Sequence, residues 1–133
     1  MTTFRVLLVE DNPDHALLIE DLLTEGRRPV EVVHEPGGDA ALARLARAEA
    51  EGLPHLVLLD LDRPGMDGFE TLSRIKGDPA TAGVPVVILS TSAVRRDVTR
   101  AIHGRAESYV CKTADFSELE RALAGVADRW APH

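Results

Sequence analysis

The chain has 133 residues with 22 acids against 15 bases, a formal net charge of −7, 44% apolar residues and 4% aromatics. That length fits one domain with a real core, and the composition excludes a disordered chain. The acidic balance argues against a nucleic-acid-binding face; a lone Cys111 forbids an internal disulfide, and no apolar run approaches the ~18 residues of a membrane span. No leader opens the sequence, so a cytoplasmic protein with no membrane or nucleic-acid partner is the expectation.

Taken in chain order, Arg5–Val9 is an apolar run without alternation, which reads as a strand buried on both faces. It ends in Glu10 and Asp11. Asn12 then caps a helix with Pro13 in its first turn, Ala16, Ile19, Leu22 and Leu23 recur at helical spacing, and Gly26 stops it. Val30–His34 is a second strand. A helix over about 39–50 turns Ala41, Leu42, Leu45 and Ala46 inward, and Gly52 and Pro54 break it.

The central stretch follows. Leu56-Val57-Leu58-Leu59 runs straight into Asp60, and the chain turns at once through Pro64 and Gly65. From Asp67, read as a helix cap, to Lys76 a third helix presents Phe69, Leu72 and Ile75 on one face. Val84–Leu89 is a fourth strand ending in Ser90, followed by an Arg-rich helix over Val94–Ile102 closed by Gly104. Ser108–Cys111 is a short last strand ending in Lys112. Asp115 or Ser117 caps a final helix with the apolar stripe Leu119, Ala122, Leu123 and Val126, and Trp130 packs near its end. Strands that alternate with helices build a parallel α/β sheet covered on both faces.

In a parallel sheet every strand finishes on the same edge, where open sheets bind ligands. Glu10, Asp11 and Asp60 therefore converge with Ser90 and Lys112. Crowded carboxylates repel unless a cation joins them, and an all-oxygen site that must accept phosphate favours Mg²⁺. A metal and an ammonium together neutralise a phosphoryl group's oxygens. A carboxylate such as Asp60 can then attack phosphorus and become an acyl phosphate, with the Ser90 hydroxyl donating to it. The bland readings are that Asp11 only caps a helix, that Cys111 is a buried filler, that the Arg95, Arg96, Arg100 and Arg105 cluster is a solvated face, and that His15, one of five His at no metal-binding spacing, is a solvated surface group.

These residues carry a resemblance. Glu10-Asp11, Asp60 followed by Pro64-Gly-Met-Asp-Gly68, Ser90 after an apolar run, and Tyr109 three before Lys112 make the chain resemble, over nearly its whole length, the receiver domain of bacterial two-component response regulators. The resemblance implies a flavodoxin-like (βα)5 receiver fold with strand order 2-1-3-4-5, filling residues 1–133 with no output domain. It implies Asp60 as phosphoacceptor for a sensor histidine kinase. Mg²⁺ would sit on Asp11, Asp60 and the backbone carbonyl of Asp62, with Glu10 reaching it through water. Lys112 would pair with Asp60 and then with the phosphoryl group. Ser90 and Tyr109 would form the switch pair, and the face of the fourth helix, fifth strand and fifth helix would be the readout and the place for a homodimer contact.

Two features depart from the pattern. Thr113 follows Lys112 where the family usually has a cis proline; a cis bond before a non-proline costs roughly 2.5–4 kcal/mol, so the loop bears that strain or takes another path. Asp62 adds a carboxylate that either disfavours bound phosphate or orients water. The Glu-Asp-Asn-Pro-Asp opening, the Leu-Ser-Thr-Ser end of the fourth strand, the missing proline and the Trp130-terminated helix are most similar to regulators paired with phytochrome-type histidine kinases. A signalling protein and not an enzyme is the expectation. A phosphate sink or relay and a receiver-like binding module that takes no phosphate are the alternatives. A haloacid-dehalogenase-type phosphatase, suggested by Asp60-Leu-Asp62, would carry its Asp-x-Asp on the first strand, and a flavodoxin would not place acids where its phosphate binds.

Overall fold

The computed structural model describes residues 2–61, 68–91, 95–112 and 115–132, with the backbone alone for Glu49, Ala50, Glu51 and Arg95. Its strands are β1 (Phe4–Val9), β2 (Val30–Glu35), β3 (Leu56–Asp60), β4 (Val86–Ser90) and β5 (Ser108–Cys111), all paired in parallel in the order β2-β1-β3-β4-β5. Its helices are α1 (Pro13–Thr24), α2 (Gly38–Glu51), α3 (Gly68–Gly77), α4 (Arg95–His103) and α5 (Phe116–Trp130). This is the flavodoxin-like arrangement. None of the described helices is long and apolar enough to cross a membrane.

The lack of alternation in the strands has its cause in two cores, one on each sheet face. Val6, Leu8, Leu56, Leu58, Val87 and Leu89 face α1 and α5, meeting Ile19, Leu23, Leu119 and Leu123. Leu7, Val9, Val57, Leu59, Val86 and Ile88 face the other way, onto Leu45, Leu72 and Ile75. Side chains alternate along a strand, so a strand apolar at every position needs a cover on both sides, and β3 and β4 are buried throughout.

Several boundaries differ from the sequence reading, each for a polar reason. β1 begins at Phe4, whose N–H donates to the Pro29 carbonyl at 2.8 Å, and β2 runs on to Glu35, whose carbonyl accepts from the Glu10 N–H at 3.0 Å. β4 starts at Val86 and not at Val84, because Pro85 has no N–H and the Val86 N–H donates to the Glu107 carboxylate at 2.7 Å. α1 ends at Thr24 with Glu25 still helical as its cap, ahead of Gly26. Past α4 it is Arg105, not Gly104, that takes the left-handed conformation (φ 70°), with the Ala106 N–H closing onto the Ala101 carbonyl at 3.0 Å. Arg105 donates to the Lys76 carbonyl and Arg100 lies 4.2 Å over the Phe69 ring, while Arg96, Arg100 and Arg105 are all exposed, as a solvated face requires. Cys111 is half-buried, not fully buried. Trp130 packs against the core as expected, beneath the Arg129 guanidinium at 4.8 Å. The residues read as the Asp67 cap, the Val94 helix start and the Thr113 peptide lie outside the described residues.

Asp115, not Ser117, caps α5: its carboxylate accepts from the N–H groups of Ser117 (2.9 Å) and Glu118 (3.4 Å). Replacing Asp115 with Ala therefore lowers stability by about 1 kcal/mol, read as a shift in urea midpoint at constant slope.

At the opposite end of the sheet from the acids, His55 accepts a hydrogen bond at Nδ1 from the Arg5 N–H at 3.0 Å. Burial first, and the Arg5 charge second, hold its pKa below 6.5. The unfolded chain thus binds the proton more readily, so this stabilisation is present above pH 6.5 and is lost as pH falls through the lower folded-state value. Between pH 7.5 and 5, the wild-type chain should lose more stability in urea than His55→Gln, whose amide oxygen can accept the same bond without titrating; equal losses would rule this out.

Candidate phosphoryl-acceptor site

The register builds the site. Val9 pairs with Leu59 in the β1–β3 ladder, so Glu10 arrives level with Asp60. Asp60 pairs with Leu89, and Ser90 with Cys111, so Ser90 and Lys112 follow on the next two strands. The main chain crosses between strands up to this edge: Leu61 N–H donates to the Leu89 carbonyl at 2.9 Å, and Lys112 N–H to the Ser90 carbonyl at 2.7 Å. Asp60, Glu10 and Ser90 are 0%, 1% and 2% exposed. Asp11 is exposed, and forms the open side.

Lys112 sits between the two buried acids. Its ammonium Nζ is 3.0 Å from Asp60 Oδ1 and 3.0 Å from Glu10 Oε2. The sequence reading paired it with Asp60; the structure adds Glu10 as an equal partner. Burial alone pulls the ammonium's pKa down, but the hydrogen bonds and charges of Asp60 and Glu10 outweigh it, and the net displacement is upward. Lys112 is therefore a fixed cation here. Glu10 behaves oppositely. Burial, and then its hydrogen bond and repulsion with Asp60, push its carboxyl up to about 7 against the pull of Lys112. Two carboxylates with one ammonium are one cation short.

Asp11 is the third acid. One carboxylate oxygen from each of Glu10, Asp11 and Asp60 lies within 4.8 Å of the other two. A hard, all-oxygen donor set that closes this tightly, with one exposed member as the entry, fits a divalent cation. The Asp62 carbonyl, the fourth donor the sequence reading assigned, lies outside the described residues.

The backbone around the acids is held in place. Asn12 caps α1, its side chain accepting from the N–H groups of Asp14 (2.9 Å) and His15 (3.3 Å), while its own N–H donates to Glu10 Oε1 at 3.2 Å. His15, 53% exposed, comes within 4.0 Å of that same oxygen. On the far side of Asp60, the Cβ of an alanine at Gly68 would lie 3.3 Å from the Leu61 Cα and 2.4 Å from its Cδ2. Glycine lets α3 begin this close to the end of β3 without displacing the Leu61 side chain.

Ser90 and Tyr109 belong to the two strands on the far side of Asp60. Ile88 pairs with Tyr109, and by alternation Ser90 and Tyr109 stand on one sheet face, the face that packs α4. Tyr109 borders a 260 Å³ cavity with Val98, Ala101 and Ile102 of α4. Sequence reasoning missed His34, whose Nε2 hydrogen-bonds with the Glu10 carbonyl. It also gave no role to Lys76. That ammonium, 4% exposed, lies 2.8 Å from Glu107 Oε1 and 3.0 Å from Oε2, and donates to the Val84 carbonyl at 2.9 Å.

The family described as the response regulator receiver domain matches residues 6–124. The chain is 41% identical over 133 residues to the probable methanogenesis regulatory protein FilR2 of Methanothrix harundinacea, covering 96% of this chain and 83% of that one. It is 32% identical over 128 residues to the response regulator Rcp1 of Synechocystis, covering 94% and 87%; the Mn²⁺-bound structure of Rcp1 superposes with a TM-score of 0.85 at 31% identity over 97% and 99% of the two chains. The structure of the phosphorylated cyanobacterial phytochrome response regulator RcpA superposes with a TM-score of 0.88, at 35% identity over 97% of this chain and 94% of that one.

Proposed function

The chain belongs to the response regulator receiver domain family, whose members partner with sensor histidine kinases, and from that premise we propose that it takes a phosphoryl group from a kinase phosphohistidine onto Asp60. The observation that carries the reading is the single buried cluster in which Lys112 bridges Asp60 and Glu10 beside Asp11. Mg²⁺ is the proposed cation, held by Asp11, Asp60 and the Asp62 carbonyl with Glu10 behind, and when bound it supplies positive charge opposite the phosphoryl oxygens. The Mn²⁺ found on Rcp1 supports a divalent site of this kind.

The chain's own residues do the rest. An Asp60 carboxylate oxygen attacks phosphorus, the new O–P bond forms as the P–N bond breaks, and the imidazole leaves as the kinase histidine. Lys112, already 3.0 Å from Asp60 Oδ1 and permanently charged, moves its pairing from the carboxylate to a phosphoryl oxygen. The Ser90 hydroxyl, on the neighbouring strand end, donates to another. Tyr109 then follows Ser90 inward on the α4 side, and the α4-β5-α5 face reports the change. That face is also the proposed homodimer contact. The likeness to the phytochrome response regulator RcpA supports a phytochrome-type kinase as partner, in the cytoplasm, with this receiver acting as a signalling protein.

The test is intact mass after incubation with Mg²⁺ and acetyl phosphate. The reading expects a gain of one phosphoryl group, removed by chelator and absent from Asp60→Asn. A gain that persists in Asp60→Asn overturns it.

A further inference from the structure

One main-chain atom of the acidic pair is held by a side chain from outside it. His34, next to last in β2, brings Nε2 to 2.5 Å from the Glu10 carbonyl oxygen. A carbonyl only accepts, so Nε2 carries the proton in this bond. The ladder explains the reach. Leu8 pairs with His34 and Val9 with Glu35, and the Glu10 N–H donates to the Glu35 carbonyl at 3.0 Å. β2 thus grips both polar atoms of the Glu10 main chain, the N–H through its backbone and the carbonyl through His34.

The carbonyl is the atom that matters for the site. The peptide unit is planar, so the Glu10 oxygen and the Asp11 Cα are fixed together. β1 ends at Val9, and Asp11, exposed, precedes the cap of α1. Side-chain bonds to Lys112 and Asn12 hold the Glu10 carboxylate. They fix the Glu10 side chain and the Asn12 N–H on either side of Asp11 but touch neither polar atom of the Glu10–Asp11 peptide itself, whose orientation sets where the Asp11 carboxylate stands relative to Asp60. We propose that His34 is a positioning residue for the divalent-cation site: by holding the Glu10 carbonyl it holds Asp11 within reach of the ion. The inference rests on the reading of Asp11 and Asp60 as cation ligands.

Partners one shell beyond a metal's ligands typically alter affinity by ~10–100-fold. His34 is exposed and water competes for its bond, so the low end applies. Titrating the full chain calorimetrically with Mg²⁺, and with Mn²⁺ as a second probe, His34→Ala should bind about tenfold more weakly. His34→Gln, whose amide can donate to the same carbonyl, should recover most of that. Phosphoryl uptake from acetyl phosphate should need proportionately more Mg²⁺ for half its maximum in His34→Ala, with the rate at saturating Mg²⁺ unchanged. If His34→Ala does not fold, His34→Met keeps the bulk without the donor and carries the same expectation. A tether that only stabilises the fold would lower the cation-free melting temperature and leave cation affinity at the wild-type value, and that result overturns the inference. So does a Gln variant as weak as the donor-less one. A wild-type chain that binds neither cation overturns the ligand reading itself, and this inference with it.

Discussion

Replacing Lys112 with Met lowers stability by about 3 kcal/mol in the absence of divalent cation and slows phosphoryl uptake by ~10²-fold. The two effects have one origin. Asp60 and Glu10, 0% and 1% exposed, share the Lys112 ammonium at 3.0 Å each. Methionine fills the space but leaves two buried carboxylates facing one another. Glu10, already raised to about 7 by burial and by Asp60, is then pushed higher still. A carboxyl whose folded-state pKa lies above its unfolded value contributes stability at low pH and loses it as pH rises through the folded value. The destabilisation should therefore be larger at pH 8 than at pH 6 in urea melts, and millimolar divalent cation should restore more stability to the variant than to the wild type. Equal stability of the two proteins at pH 8 would contradict the bridging role.

The second large effect lies at the other end of the sheet. Glu107 accepts from Lys76 through both oxygens, at 2.8 and 3.0 Å, and from the Val86 N–H at 2.7 Å. This one carboxylate ties the end of α3 to the starts of β4 and β5. Glu107→Ala leaves a 4% exposed ammonium with only the Ala82 and Val84 carbonyls to meet it. Breaking a buried pair typically costs 3–5 kcal/mol, and because Glu107 itself is 32% exposed the expected loss is about 2–3 kcal/mol. The double variant Lys76→Met/Glu107→Gln should recover much of it, since the unmatched charge is gone and the Gln oxygen can still accept from Val86. Phosphoryl uptake should not change in either. A thermodynamic cycle with no coupling between the two positions would show that the pair is only incidental.

Much of this was legible in the residues. Apolar runs without alternation announced buried parallel strands, and three such runs ending in Glu10-Asp11, Asp60 and Ser90, with a short last strand ending in Lys112, announced a shared edge, because parallel strands finish together. The carboxylate cluster follows from that alone. What stayed hidden depends on register and on loop path. His34 reaches Glu10 only because β2 sits beside β1 with Leu8 opposite His34, a pairing no local pattern encodes. Lys76 and Glu107 are 31 residues apart, and each reads locally as an ordinary surface charge. The start of β4 moved for a similar reason: Val84 is apolar and buried, yet a proline after it and a carboxylate from another loop decide where the ladder begins.

The central claim is that Asp60 forms the acyl phosphate, and the most direct measurement is to trap it in place. After phosphorylation with Mg²⁺ and acetyl phosphate, borohydride reduces an aspartyl phosphate to homoserine with release of phosphate, and peptide mass mapping locates the new alcohol. The expected result is homoserine at position 60 alone, in the peptide that carries Leu56–Asp60. Homoserine at position 11 or 62 in its place, or a phosphoryl group that survives on Ser90, would contradict it.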